Sequence, residues 1–278
     1  MIAVISDIHG NLAALAAVLG DLAGFPVDKL ICLGDIVGYG PDPELCTDLI
    51  MEHADVTLMG NHDFALLHGP EGFNPVAASV IYLTQERMAP GSVASAAQTM
   101  QPYECTGGDT MPRCLVQPHT SSARWEYLSN LIERFTIGDL LFVHASPLDP
   151  IIEYVFPDVF AIGWRPERIL QLMESFNRVC FCGHTHIPCA IDSSCECIYP
   201  AECDYRWALD PNRKYIINPG SVGQPRDHDP RASYALFDEH ENMIEWRRIE
   251  YDIAATVEKS EAMCGKDNWC AKRLIEGR

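Results

Sequence analysis

Five short motifs carry the residues able to do chemistry in this chain. They are Asp7-Ile8-His9, Gly34-Asp35, Gly60-Asn61-His62-Asp63, the lone His144, and Gly183-His184-Thr185-His186. Each follows an apolar run that reads as a strand. Together they offer Asp7, His9, Asp35, Asn61, His144, His184 and His186 as metal ligands, with His62 left over. Carboxylates that can bridge, imidazoles and one amide suit a pair of divalent cations that must hold a water and leave room for substrate. Taken singly, Asp7 could cap a helix starting near Asn11, and His144 could be a core residue at a strand end. Their joint recurrence favours chemistry. His53, His68, His119, His228 and His240 read as surface residues. The ligand types suit Mn²⁺, Fe²⁺, Zn²⁺, Co²⁺ or Ni²⁺, with Mn or Fe preferred.

Such a set needs a fold whose strand ends converge. Ile2 to Ser6, Leu30 to Leu33 and Val56 to Met59 read as strands, and amphipathic helices separate them. The first helix is capped by Asn11 and ended by Gly24 and Pro26; the second starts near Glu44. This alternation predicts a largely parallel sheet with ligands at the carboxyl ends of its strands. Further helices are expected over 74–88, from about Ala123 through Leu131/Ile132, and over Glu167 to Ser175. Strands at Leu140 to Val143 and Val179 to Cys182 deliver the later histidines. Residues 90–121 lose periodicity and read as an irregular excursion. Tyr215 to Ile217, Ala232 to Phe237 and Met243 to Glu250 read as consecutive antiparallel strands, and a polar helical tail covers about 253–275.

Thirty-nine acidic residues against twenty Lys and Arg give a formal charge of −19. Such a surface repels nucleic acid and anionic lipid, so a small phosphate compound is favoured over a polymeric one. Met1 runs straight into the first strand, and no segment is long and apolar enough for a signal peptide or a membrane span; a cytoplasmic protein is expected. Of the twelve cysteines, Cys32, Cys180 and Cys182 read as buried small hydrophobes. Cys189, Cys195, Cys197 and Cys203 cluster but lack the spacing of a structural zinc knuckle. A reducing compartment argues against pairing Cys105 with Cys114 or Cys264 with Cys270.

The motifs Ser6-Asp7-Ile8-His9-Gly10-Asn11, Gly34-Asp35-Ile36-Val37-Gly38, Gly60-Asn61-His62-Asp63, Val143-His144-Ala145 and Gly183-His184-Thr185-His186 resemble those of the calcineurin-like metallophosphoesterases, in order. The Asn218 to Asp227 loop is similar to that of the family's compact bacterial and archaeal branch. The resemblance implies an α/β fold: a four-layer α/β-β/α sandwich of two mixed sheets flanked by helices, one domain over 1–278, with metals where the sheets meet. It implies that Asp7, His9, Asp35 and His186 hold one cation and Asp35, Asn61, His144 and His184 the other, with Asp35 bridging. A bridging carboxylate can keep two cations about 3.5–4 Å apart, so that a shared water ionises and attacks phosphorus in line. The resemblance also aims His62 at the leaving-group oxygen, with Asp63 placed to orient its ring.

The second motif, Gly34-Asp35-Ile36-Val37-Gly38-Tyr39-Gly40, lacks the arginine that follows it in Ser/Thr protein phosphatases and diadenosine tetraphosphate hydrolases. The third ends in Asp63 rather than Glu. These departures favour a small phosphodiester, phosphomonoester or nucleotide, with dinucleoside polyphosphates and phosphoproteins as the alternatives. A non-catalytic metal-binding scaffold would predict a lost ligand, and none is lost. Arg226 and Arg231 either hold substrate phosphate or tie down the loop bearing Asp227 and Asp229. Asn11 and Tyr39 are candidates to line the substrate cleft. A homodimer fits the habit of soluble enzymes.

Overall fold

The computed structural model describes residues 1–91, 118–157 and 166–278. Strands β1 (Ile2–Ile5), β2 (Lys29–Cys32) and β3 (Val56–Thr57) pair in parallel, and helices α1 (Leu12–Leu22) and α2 (Pro43–His53) connect them. Helices α3 (Asn61–His68), α4 (Pro75–Met88) and α5 (Ser121–Ser129) follow. A second group of strands comprises β4 (Arg134–Ile137), β5 (Leu140–Val143), β6 (Val179–Phe181), β7 (Cys189–Asp192) and β8 (Cys197–Ile198), with helix α6 (Pro166–Glu174) between β5 and β6. The chain then runs through β9 (Arg206–Ala208), β10 (Tyr215–Asn218), β11 (Ala232–Asp238), β12 (Met243–Ile249), α7 (Ile253–Cys264) and α8 (Trp269–Glu276).

Two six-stranded sheets result, in the orders β3-β2-β1-β11-β12-β9 and β4-β5-β6-β10-β7-β8. Both mix parallel and antiparallel pairs. Alternation along the strands sorts side chains into layers. Ile2 and Val4 of β1 meet Phe142, Phe181, Ile217 and Phe237 between the sheets. Ala3 and Ile5 point the other way, onto Leu15, Val18, Leu49 and Ile50 of α1 and α2. On the far side Leu141 and Val143 pack against Ile169 and Leu172 of α6. Strands buried on both faces read as unbroken apolar runs, which is why β1, β2 and β5 are visible in the sequence.

Several expectations need correcting. Strand β10 does not pair with β11: it joins the second sheet between β6 and β7, and the Gly- and Pro-rich segment after it carries the chain across to the first sheet. The tail is two helices, broken at Gly265, whose φ of 90° ends α7. Helix α5 stops at Ser129, so Leu131 and Ile132 lie beyond it. Most of the 90–121 excursion, with Cys105 and Cys114, lies outside the described residues. Cys189, Cys195, Cys197, Cys203, Cys264 and Cys270 carry free thiols. No described helix is long and apolar enough to cross a membrane.

Candidate metal centre

The ligand residues stand just past the carboxyl ends of β1, β2, β5 and β6, and at the start of α3. Asp35 is central. Its Oδ1 accepts the His62 backbone N–H at 2.7 Å, and its Oδ2 lies 3.6 Å from His9 Nε2 and 3.5 Å from His144 Nε2. One carboxylate oxygen therefore lies between two imidazole pairs. In the first, His9 Nε2 and His186 Nε2 are 3.1 Å apart; in the second, His144 Nε2 and His184 Nδ1 are 3.2 Å apart. The other nitrogen of each ring faces a backbone carbonyl. His9 Nδ1 meets Val37 O at 3.1 Å, and His186 Nδ1 meets Gln224 O at 2.6 Å. His144 Nδ1 meets Leu33 O at 3.1 Å, and His184 Nε2 meets Ile152 O at 3.2 Å.

A carbonyl only accepts, so the nitrogen facing it carries the hydrogen and the tautomer is assigned. The facing nitrogens then aim lone pair at lone pair, which is repulsive unless a cation lies between them. Asn61 Oδ1 adds another acceptor 3.1 Å from His144 Nε2. Asp7 Oδ2 accepts the His184 N–H at 3.0 Å, whereas its buried Oδ1 has no hydrogen-bond partner. That orphaned oxygen is 3.3 Å from His186 Nε2 and 3.9 Å from His9 Nε2. Two groups, Asp7/His9/Asp35/His186 and Asp35/His144/His184, each bring their ligand atoms within 4.8 Å of one another. Carboxylates, neutral imidazoles and an amide, all converging as acceptors, fit divalent cations.

Protonation points the same way. Burial pushes the imidazoles of His9, His184 and His186 well below their ordinary pKa, and that of His144 to about 3. Burial raises the carboxyl of Asp7 to about 7 and that of Asp35 well above its usual range. Acids that resist charging and bases that resist protonation leave this cluster short of positive charge.

The backbone holds these residues in an uncommon conformation. Asp7, His9, Asp35, Tyr39, His184 and His186 all have positive φ, between 49° and 65°. Each such residue costs about 1–3 kcal/mol unless its surroundings enforce it. Loop-to-loop bonds do so: Asp7 N–H to Gly34 O, His9 N–H to Asp35 O, Gly183 N–H to His144 O and Gly223 N–H to Asp7 O. Gly60 permits a close approach, because a Cβ there would lie 2.2 Å from Asp35 Oδ1.

His62 packs its ring against His9, Tyr39 and Phe73, with centroids 4.6–4.8 Å away. Its Nδ1 is buried without a partner and sits over Gly38, where a Cβ would come within 2.2 Å. The expected orienting role of Asp63 is not met. Both its oxygens accept backbone N–H groups, from Asp35, Ile36, Val37 and Gly60 at 2.7–3.2 Å. Asp63 is a cap of α3 that fixes the loop carrying Asp35, and it has no acceptor capacity left for His62.

The substrate candidates divide. Asn11 is 1% exposed and fully engaged: Oδ1 caps α1 at Ala14 and accepts from Thr256, while Nδ2 donates to Gly223 O and Tyr251. Arg231 pairs with Asp229 through Nε and Nη2, so it ties down its own loop, and Arg248 holds Asp227. Tyr39 stands in the site, 4.7 Å from the His9 ring. Arg226 belongs there too, its guanidinium 5.8 Å above the Tyr39 ring and Nη2 on Gln224 Oε1 at 2.9 Å. Several neighbours escaped the sequence reading. Tyr154 stacks on His184 at 3.7 Å, and Trp269 of α8 approaches Tyr39 at 5.8 Å. Neither lies in a motif, so only an unusual aromatic in a loop or tail could have marked them.

A family model, calcineurin-like phosphoesterase, matches residues 1–188, and a second, calcineurin-like phosphoesterase superfamily domain, matches 136–242. An uncharacterized protein of Methanocaldococcus jannaschii is 35% identical over 283 residues, covering 100% of this chain and 98% of its own. A solved metallophosphoesterase from Sphaerobacter thermophilus is also 35% identical, with a TM-score of 0.75 and coverage of 100% and 98%. A hypothetical protein of Pyrococcus horikoshii, 18% identical with a TM-score of 0.67 and coverage of 100% and 99%, shares the fold. Five ordered motifs, two sheets meeting at a cluster of converging acceptors, and these likenesses agree: the chain belongs to the calcineurin-like phosphoesterase family and is a metal-dependent phosphoric ester hydrolase.

Proposed function

We propose that the protein hydrolyses a small phosphodiester, phosphomonoester or nucleotide at a centre holding two divalent cations, Mn or Fe by preference. The observation that carries this is the pairing of four lone-pair nitrogens on either side of Asp35 Oδ2. Asp7, His9 and His186 would hold one cation, and Asn61, His144 and His184 the other, with Asp35 shared. Cations there would polarise the phosphoryl oxygens and lower the pKa of the attacking water.

The remaining work falls to the chain's own residues. Arg226, which pairs with no carboxylate among the described residues, would bind a phosphoryl oxygen through its planar fork. His62 would donate its ring N–H to the leaving-group oxygen. Burial and the nearby Arg226 charge hold its pKa well below the ordinary value, so the ring is neutral at rest. An arriving phosphate anion favours the protonated form and offsets that depression. Beside Arg226 a cleft of about 500 Å³, lined by Phe156, Ile187, Pro188 and Tyr199, gives room for the organic part of the ester.

The test is turnover of metal-free protein reloaded separately with Mn²⁺, Fe²⁺, Zn²⁺ and Ni²⁺, with bound metal counted in each sample. Substrates are bis-p-nitrophenyl phosphate, p-nitrophenyl phosphate and diadenosine tetraphosphate. Activity that saturates at two metals per chain is expected; saturation at one sinks the dinuclear reading.

A further inference from the structure

Arginines on this face fall into two kinds. Arg231 and Arg248 are neutralised by Asp229 and Asp227. Arg226 and Arg273 have no carboxylate within ion-pair distance among the described residues, yet one buried oxygen holds both. Gln224 Oε1 accepts from Arg226 Nη2 at 2.9 Å and from Arg273 Nη1 at 3.4 Å. Arg226 Nε is buried without a partner. Two guanidinium groups this close repel each other, and in a chain of formal charge −19 acidic partners are not scarce. Burial and the charge of Arg226 together lower the Arg273 pKa.

Arg273 is also aimed. It sits on α8, docked through buried Cys270 and Leu274, and its guanidinium lies 4.2 Å over the Trp269 ring. Trp269 in turn contacts Tyr39, whose ring touches His9 and His62. Arg226 is therefore one side chain, Tyr39, away from the ligand His9 and from His62, and Arg273 stands one ring further out, behind Trp269.

We propose that Arg226 and Arg273 form an anion subsite for a substrate with two phosphoryl groups: Arg226 holds the one being split, and Arg273 holds its neighbour. The share given to Arg226 rests on the phosphoesterase reading above; the share given to Arg273 does not need turnover. The planar fork of each guanidinium suits two oxygens of a phosphoryl group, and the Trp269 ring 4.2 Å away supports the outer one.

The test is calorimetric binding of methylenebisphosphonate and methylphosphonate, neither of which is hydrolysed, to the protein at saturating Mn²⁺. Wild type is expected to prefer the bisphosphonate by about tenfold or more, the scale of one charge-assisted contact. Arg273→Gln should reduce that ratio to near one with methylphosphonate affinity changed less than twofold, and Arg273→Lys should keep part of it. Unchanged melting temperatures show that α8 still docks. Absence of a preference in wild type, its survival in Arg273→Gln, or equal weakening of both ligands overturns the subsite. Bis-p-nitrophenyl phosphate turnover is followed in the same preparation. A preference without turnover of that diester supports the subsite and counts against the diesterase reading alone.

Discussion

The two halves of the candidate metal centre are built alike and charged differently. Each has two imidazoles facing across about 3 Å, pinned from behind by backbone carbonyls, and each shares Asp35 Oδ2. The first half adds the carboxylate of Asp7; the second adds only the neutral amide of Asn61. The first half is sealed under Tyr39 and His62, whereas the second is roofed by Tyr154, which is 38% exposed. An extra negative charge in a buried place means a tighter cation. The first half should therefore act as the resident site and the second as the exchangeable one.

Asp35→Asn strikes both halves at once. It should cost on the order of 10³-fold or more in turnover and reduce bound metal below one per chain, since the shared oxygen orders both cations. Retention of two metals would show that the halves are independent. Next in size, His62→Asn should lose about 10²-fold on substrates with alkoxide leaving groups while both metals stay bound, the usual scale of a proton donor. Near-normal turnover would remove His62 from the chemistry. Asn61→Asp tests the asymmetry directly: giving the second half its own carboxylate should tighten the weaker cation by roughly tenfold in a chelator titration. An unchanged gap would mean that exposure, not charge, sets the difference.

The smallest expected effect is on pH dependence. The raised pKa of Asp7, about 7, means that the metal-free fold is favoured below the ordinary carboxyl range and loses that advantage as pH rises through 7. Cations bind the deprotonated carboxylate, so the stability gained on loading grows across the same interval. The buried imidazoles, depressed well below 6.5, are already neutral there and add little. The melting-temperature difference between loaded and chelated protein should be larger at pH 8 than at pH 5.5 by roughly 2–4 °C. A flat difference would place Asp7 outside the tight half.

The candidate ligands stood out because each sits within a few residues of the end of an apolar run, where a polar side chain has little structural reason to recur. What was not legible has identifiable causes. Asn61-His62-Asp63 opens α3 rather than a loop; its cap is a side chain reaching back from the third helical position, and the same Asp63 looked like a partner for His62. Asn11 and Arg231 have the right chemistry for substrate, but the same groups cap helices and fasten loops, and sequence does not say which. Strand β10 carries an apolar pattern that suits either sheet, and only the crossing after it decides. Arg273 and Trp269 lie in a tail that looked merely polar; their partner Gln224 is 49 residues away from Arg273.

One feature of the architecture reaches beyond the chemistry. Asp7, His9, Asp35 and Asn61 hang from the first sheet, while His144, His184 and His186 hang from the second. Each half of the centre draws on both, so each cation held there would be a rivet through the sandwich. With rivets in place the sheets would be expected to unfold as one unit. With them removed, the apolar seam around Phe142, Phe181 and Phe237 and polar bonds such as Val222 N–H to Ser6 O and Trp246 Nε1–H to Asn218 O are left to keep the sheets in register. The spacing of the ligands is thereby a gauge of that seam, and a core substitution far from any phosphate becomes visible as a change in metal content.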